Sequence, residues 1–300
     1  MNLQTILNSK QAGRLALFMS RHIPPSVGYR LAHHVAVRIA ARPQTPMVQA
    51  IRANQWVVSG GALSAHQLDE AVAESLENVA RAFFQLFRYL NDPPRLDDLV
   101  VFNPQVWELI NRNQKADRGL VVCGVHSCSF DLVVRVAALK GARILALSLP
   151  EANEAVEWQH NIRRQVGLEI LPATMANIRQ LVHRLEAGEM VLTGVDRPMP
   201  DLKYHPVFFG RPAQLPTHHI YLAQKAHVPI VLLASIRQGD GRYHVVSSDY
   251  IEMETGTNRS DEMTYNAERV LQAAQALIRL SPCQWTVFQQ LWPQVLKEVP

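Results

Sequence analysis

The residues with the most reactive potential lie in one short stretch, Val121-Val122-Cys123-Gly124-Val125-His126-Ser127-Cys128-Ser129-Phe130-Asp131. The stretch begins apolar and turns polar at His126. An imidazole titrates near neutral pH, so it can take a proton from a hydroxyl and return it. A strand-to-helix turn can bring Asp131 to one ring nitrogen, where its carboxylate fixes the tautomer and stabilises the imidazolium. The other nitrogen is then left as a general base. The spacing alone is not specific, because a second His-x-x-x-x-Asp pair stands at His244 and Asp249. That pair falls in a segment of alternating polarity, where an offset of five turns the two side chains to opposite faces of a strand. His126 instead sits where an apolar run stops, and parallel sheets bind ligands at the carboxyl ends of their strands. A second reading fits the same spacing: His126 as a hydrogen-bonded core histidine, with Asp131 favouring a helix N-terminus. Ser127 and Cys128 are either nucleophiles beside His126 or small residues that allow the turn.

Other chemistries lack their residues. No Gly-x-Ser-x-Gly elbow is present, and no glycine-rich dinucleotide or P-loop pattern follows a strand. The adjacent pairs His33-His34 and His218-His219 have no carboxylate one helical turn on, and there is no His-Glu-x-x-His. Neither a metal nor a cofactor is expected. Three cysteines, none in a Cys-x-x-Cys pair, exclude a disulfide scaffold and suit a reducing compartment.

The elements that must position His126 alternate in type. Ser64 is placed to cap a helix over 64–90, which Asp92-Pro93-Pro94 ends, and another helix covers 104–113. Strands are expected over 119–125, 143–149, 168–172 and 190–195. Helices over 129–140, 154–166 and 176–186 separate them. A helix over 216–226, strands over 229–236 and 243–251, and a long helix over 261–280 follow, with a last helix from Gln284. Strands separated by helices of this length imply a central, mostly parallel sheet flanked by helices, an α/β fold. One domain over 1–300 is the simplest organisation. It has a basic helical segment at 1–60, helices at 61–115, an α/β core at 116–260 and C-terminal helices at 261–300.

The 300 residues are 48% hydrophobic and 19% charged, a composition for a folded chain with a sizeable core. The net charge of +4 is unevenly spread. Lys10, Arg14, Arg21, Arg30, Arg38, Arg42 and Arg52 precede the first acidic residue, Asp69. An acid-free basic arm suits an anionic surface. Its apolar runs are short and interrupted by charge, which fits helices lying in a membrane interface rather than spanning it. Core-packing helices with a solvated arginine face fit the same pattern. Few aromatics are interleaved with the arginines, so nucleic acid is not expected as a partner.

The segment from Gly124 to Asp131 resembles the His-x-x-x-x-Asp block of the lysophospholipid acyltransferase superfamily. The chain is most similar to its lipid A biosynthesis branch of lauroyl and myristoyl transferases, and to phosphatidylinositol mannoside acyltransferases. Further stretches match in order: Arg163-Arg164-Gln165-Val166-Gly167, Leu185 to Val191 followed by Asp196, Pro206-Val207-Phe208-Phe209-Gly210-Arg211-Pro212-Ala213, and Gln284-Trp285. The chain differs where Thr217-His218 replaces a usual glycine, at Asp196-Arg197-Pro198, and in Thr286 to Trp292. The resemblance implies a membrane-associated enzyme on the cytoplasmic face of the inner membrane. It would move a fatty acyl chain from acyl-CoA or acyl carrier protein to a hydroxyl of a membrane lipid. His126 would be the base, Asp131 its orienting carboxylate, and no acyl-enzyme would form. Arg163, with Arg164 adjacent, would bind a phosphate or position the acceptor. Asp196 would position Arg163 or the acceptor hydroxyl, or else cap a loop. Phe208, Phe209, Gly210 and Arg211 would line the mouth of the site, although the two phenylalanines suit the core equally. A thioester or lipid hydrolase with water as acceptor, and a non-catalytic lipid-binding relative, remain alternatives.

Overall fold

A computed structural model describes residues 10–115, 118–148, 154–199, 202–256 and 258–300. Its centre is a seven-stranded sheet in which β-branched and leucine runs form short strands: β1 Val100–Phe102, β2 Leu120–Gly124, β3 Leu145–Ser148, β4 Glu169–Pro172, β5 Met190–Gly194, β8 Ile230–Arg237 and β9 Tyr243–Ser247. Strands β6 Val207–Phe208 and β7 Arg211–Pro212 make a separate hairpin. The order across the large sheet is β1-β9-β8-β2-β5-β3-β4. All its pairings are parallel except β8 with β9. The register between the two central strands pairs Val121 with Val191 and Gly124 with Gly194, so β2 and β5 end level with each other.

Eleven α-helices surround the sheet among the described residues. They are α1 Lys10–His22, α2 Pro25–Ala40, α3 Pro46–Val58, α4 Ala65–Arg88, α5 Pro93–Leu99, α6 Pro104–Lys115, α7 Phe130–Leu139, α8 Glu154–Arg164, α9 Met175–Glu186, α10 His218–Ala226 and α11 Arg259–Arg279. The start expected for α4 is built as a reciprocal cap. Gln67 N donates to Ser64 Oγ and Ser64 N donates to Gln67 Oε1, an arrangement that contributes about 1 kcal/mol. Two apolar layers cover the sheet. Val121, Val191 and Leu232 pack with α9, α10 and α11 on one face. Val122, Leu192 and Ile170 pack with α4, α7 and α8 on the other.

Three expectations change. Asp92-Pro93-Pro94 does not simply end a helix. Asp92 caps the short α5 by accepting from Arg95 N, and the chain then supplies an edge strand, β1. The helix expected from Gln284 is absent: residues 282–284 and 293–297 are single 3-10 turns with extended chain between them. Finally, the basic segment divides. Helices α1 and α2 expose Leu15, Phe18, Val27, Leu31, Val35 and Val37, whereas α3 buries Val48, Ile51, Ala53 and Val57. Asn54 of α3 also donates to the carbonyls of Val287 and Gln289. So α3 belongs to the core. No helix among the described residues is long and apolar enough to cross a membrane.

Candidate active site

Strands β2 and β5 finish alike. Each ends in glycine, then valine, then a polar residue: Gly124-Val125-His126 and Gly194-Val195-Asp196. Neighbouring strands lie about 4.8 Å apart, so equal offsets from paired glycines place His126 beside Asp196. The imidazole Nδ1 donates to Asp196 Oδ1 at 2.5 Å, and the His126 backbone N donates to Oδ2 at 2.8 Å. Trp285 Nε1 is a third donor, 2.7 Å from Oδ2. Asp196 is 0% exposed. Burial pushes its carboxyl upward, but the His126 charge and these three donors outweigh it and hold the group below the usual carboxylate range. The ring lies over the end of β5, where a Cβ on Gly194 would come within 2.7 Å of His126 Cε1. Glycine is required there by close approach, not by its dihedral freedom.

The turn that carries His126 is pinned by the C-terminal segment. Ser127 bridges to Trp285 in antiparallel fashion, and Cys128 N donates to the Gln284 carbonyl at 2.9 Å. Thr286 donates to the His126 carbonyl twice, from N at 2.7 Å and from Oγ1 at 2.8 Å. Gln284 in turn accepts from Arg237 N and donates to its carbonyl. Ser127 and Ser129 both bond Ser235 Oγ beneath the turn. Burial pushes the Cys128 thiol up to about 12, so it is not the thiolate that a nucleophile requires. Ser127 and Cys128 therefore serve the turn.

His126 opens on a cavity of about 430 Å³. Phe130 stacks on the imidazole at 6.2 Å and lies 5.9 Å from the Arg163 guanidinium. Asp131 does not meet His126. It accepts from Arg163 Nε at 2.6 Å, and both side chains line the same cavity. Arg197 is a second guanidinium on the wall, and it bonds no described residue. Val134, Ala146, Leu168, Ile170 and Leu192 make an apolar arm. A charge-oriented imidazole, two guanidiniums and a fatty pocket are thus gathered on the carboxyl edge of one α/β sheet.

The model of the bacterial lipid A biosynthesis acyltransferases matches residues 5–294. The chain belongs to this family. It is an acyltransferase, passing an acyl group from a donor to a lipid acceptor. No curated protein matches the chain.

For this acyltransferase the expected site residues divide into three groups. His126, Asp131, Arg163 and Asp196 are brought together, but the carboxylate on His126 is Asp196, and Asp131 holds Arg163. Helix geometry causes the exchange, because Asp131 lies in the first turn of α7 on the side of α8, whose last turn carries Arg163. Arg164 is exposed, bonds Glu157 and Asn161, and does not line the cavity. The Phe-Phe-Gly loop is not at the cavity either. Phe209 and Gly210 have φ of 49° and 74° and form the two-residue turn of the β6–β7 hairpin, the conformation that a tight hairpin favours. Phe208 and Phe209 are buried against Trp285 and Trp292, which fulfils their core alternative. Arg211 pairs with Glu298. The decoy His244 bonds Asp240 rather than Asp249. Trp285, Arg197 and His218 are site neighbours with no role expected from the sequence. For Asp196 the repeated Gly-Val-polar ending was the available signal; for Trp285 there was none beyond its motif.

Proposed function

We propose that His126 is the general base that activates a lipid hydroxyl, and that Asp196 is the carboxylate that orients it. The single observation that carries this is the three-donor hold on Asp196. With Nδ1 bonded to Asp196, Nε2 is the nitrogen left for the acceptor. In the reaction Nε2 takes the hydroxyl proton and the oxygen attacks the carbonyl of an acyl thioester. The C–O bond forms and the C–S bond breaks. The thiolate of acyl-CoA or acyl carrier protein leaves and takes the proton from the imidazolium. The Asp196 charge stabilises that imidazolium. A backbone donor for the oxyanion is not found among the His126, Ser127, Cys128 and Phe130 amides, which are all occupied. Arg163, braced by Asp131, and Arg197 offer positive charge for a phosphate of the substrate. The apolar arm between β3, β4 and α7 takes the acyl chain.

The exposed faces of α1 and α2 rest the enzyme on a membrane surface. Leu15 and Phe18 are 59% and 60% exposed, beside Arg14 and Arg21. Helix α1 also packs on α8, which carries Arg163: a Cβ on Gly13 would meet Trp158 at 2.7 Å. Lipid held there is beside the cavity. Leu15→Glu with Phe18→Glu is expected to abolish flotation on anionic vesicles, and unchanged flotation removes this part of the reading. Removing residues 1–60 is not a clean test, because α3 is core.

The deciding experiment follows radiolabelled lauroyl thioester with and without membrane-lipid vesicles. Label is expected in lipid, lost in a His126→Ala protein of unchanged melting temperature and retained in His244→Ala. Thioester consumption at the same rate without lipid makes the protein a hydrolase and overturns acyl transfer.

A further inference from the structure

The cavity straddles the end of β5, and its two sides differ in charge. Gly194 faces α7 and α8, where Asp131 and Arg163 stand. Thr193 points to the opposite face, toward α10. Helix α10 begins at His218, whose imidazole forms part of the cavity wall. Its Nε2 lies 2.7 Å from Thr193 Oγ1. Its Nδ1 bonds no described residue and is not sealed from the cavity. Behind it stands His219, 1% exposed, with ring centroids 5.8 Å apart and both of its nitrogens buried without a partner.

Burial pushes the His218 imidazole down to about 4 and that of His219 down as well. The ring is therefore uncharged at neutral pH. A neutral imidazole has one donor and one acceptor nitrogen. If Thr193 donates to Nε2, Nδ1 carries the proton and offers an N–H to the cavity. If Nε2 donates to Thr193, Nδ1 offers a lone pair. A carbonyl satisfies only the first state and an ammonium only the second. A hydroxyl satisfies both, because it donates and accepts. A phosphate gains little from an uncharged ring and is better served by the guanidiniums across the cavity.

We propose that His218 and Thr193 form a neutral recognition site for a hydroxyl of the acceptor headgroup. The inference rests on the acyl-transfer reading only in taking this cavity as the acceptor's place. His218 touches that headgroup without taking part in bond making.

The test uses the full chain with histidine labelled in 15N, and two probes below their micellar concentrations: octyl glucoside and octyl phosphate. Octyl glucoside is expected to shift the His218 ring nitrogens and octyl phosphate to leave them in place. His218→Gly is expected to weaken octyl glucoside binding at least tenfold with octyl phosphate binding unchanged within twofold. His218→Gln recovers part of the loss. Arg163→Ala is expected to give the converse pattern. Unchanged octyl glucoside binding in His218→Gly overturns the proposal. If that variant does not fold, the wild-type spectrum decides: no His218 shift with octyl glucoside, or an equal shift with octyl phosphate, overturns it. Octyl glucoside binding through His218 in a protein that transfers no acyl group leaves this site standing and removes the acyl-transfer reading. Acyl transfer that is indifferent to His218→Gly does the reverse.

Discussion

Two carboxylates stand at the same edge of the sheet in different surroundings. Asp196 follows a strand, is fully buried, and collects three hydrogen-bond donors. Asp131 opens a helix, is partly exposed, and holds one guanidinium. A carboxylate without solvent is worth most when its donors satisfy it completely, and it then fixes its partners rigidly. A carboxylate near water contributes less to stability and leaves its partner free to adjust. The difference assigns them separate tasks. On the proposed reading Asp196 orients His126, while Asp131 holds Arg163 at the cavity.

The largest expected effect breaks the buried member. Asp196→Asn keeps the shape but removes the charge that stabilises the imidazolium, and kcat is expected to fall by about 10²–10⁴-fold. Steady-state rates on labelled thioester check it; a loss confined to KM would show that Asp196 does not act through His126. Asp131→Asn is expected to raise KM about tenfold with kcat within about threefold, as for loss of one charge-assisted hydrogen bond near solvent. Equal kcat losses in the two variants would erase the distinction.

The pH dependence sharpens it further. The folded-state value of Asp196 lies below its unfolded value, so its contribution to stability is present above about pH 4 and is lost as pH falls through the depressed folded value. Denaturant titrations between pH 5 and 2 are expected to show a shallower acid loss in Asp196→Asn than in the wild type. The smallest effect is at Arg164. Its pair with Glu157 is exposed and screened by solvent, and Arg164→Ala is expected to match the wild type in rate and melting temperature.

The strand–turn–helix unit around His126 was legible because apolar runs of five or six residues alternate with helical patterns. The partner of His126 was less so. Periodicity marks where β2 and β5 lie but not that they are neighbours, and β3 and β4 intervene in sequence. A five-residue spacing within one unit therefore looked stronger than a match 70 positions away. The partners expected for Asp196, Arg163 or the acceptor hydroxyl, give way in the structure to His126. The C-terminal segment failed for another reason. Trp285 and Thr286 give their hydrogen bonds to Asp196 and His126, and that competing use of donors leaves an extended chain where local preference gives a helix. Phe208 and Phe209 could be read as core or as wall, and only the position of Trp285 and Trp292 decides for the core.

The clamp formed by Gln284, Trp285 and Thr286 also sets a schedule. The chain is made from its N-terminus, and Thr286 is added 160 positions after His126. At about 5–20 residues per second this is a delay on the order of 10–30 s. During that interval the sheet can assemble, but Asp196 lacks its indole donor and the His126 turn lacks its bridge. A nascent chain therefore holds the His126 turn unclamped until the segment of Gln284, Trp285 and Thr286 has been made and docks on it.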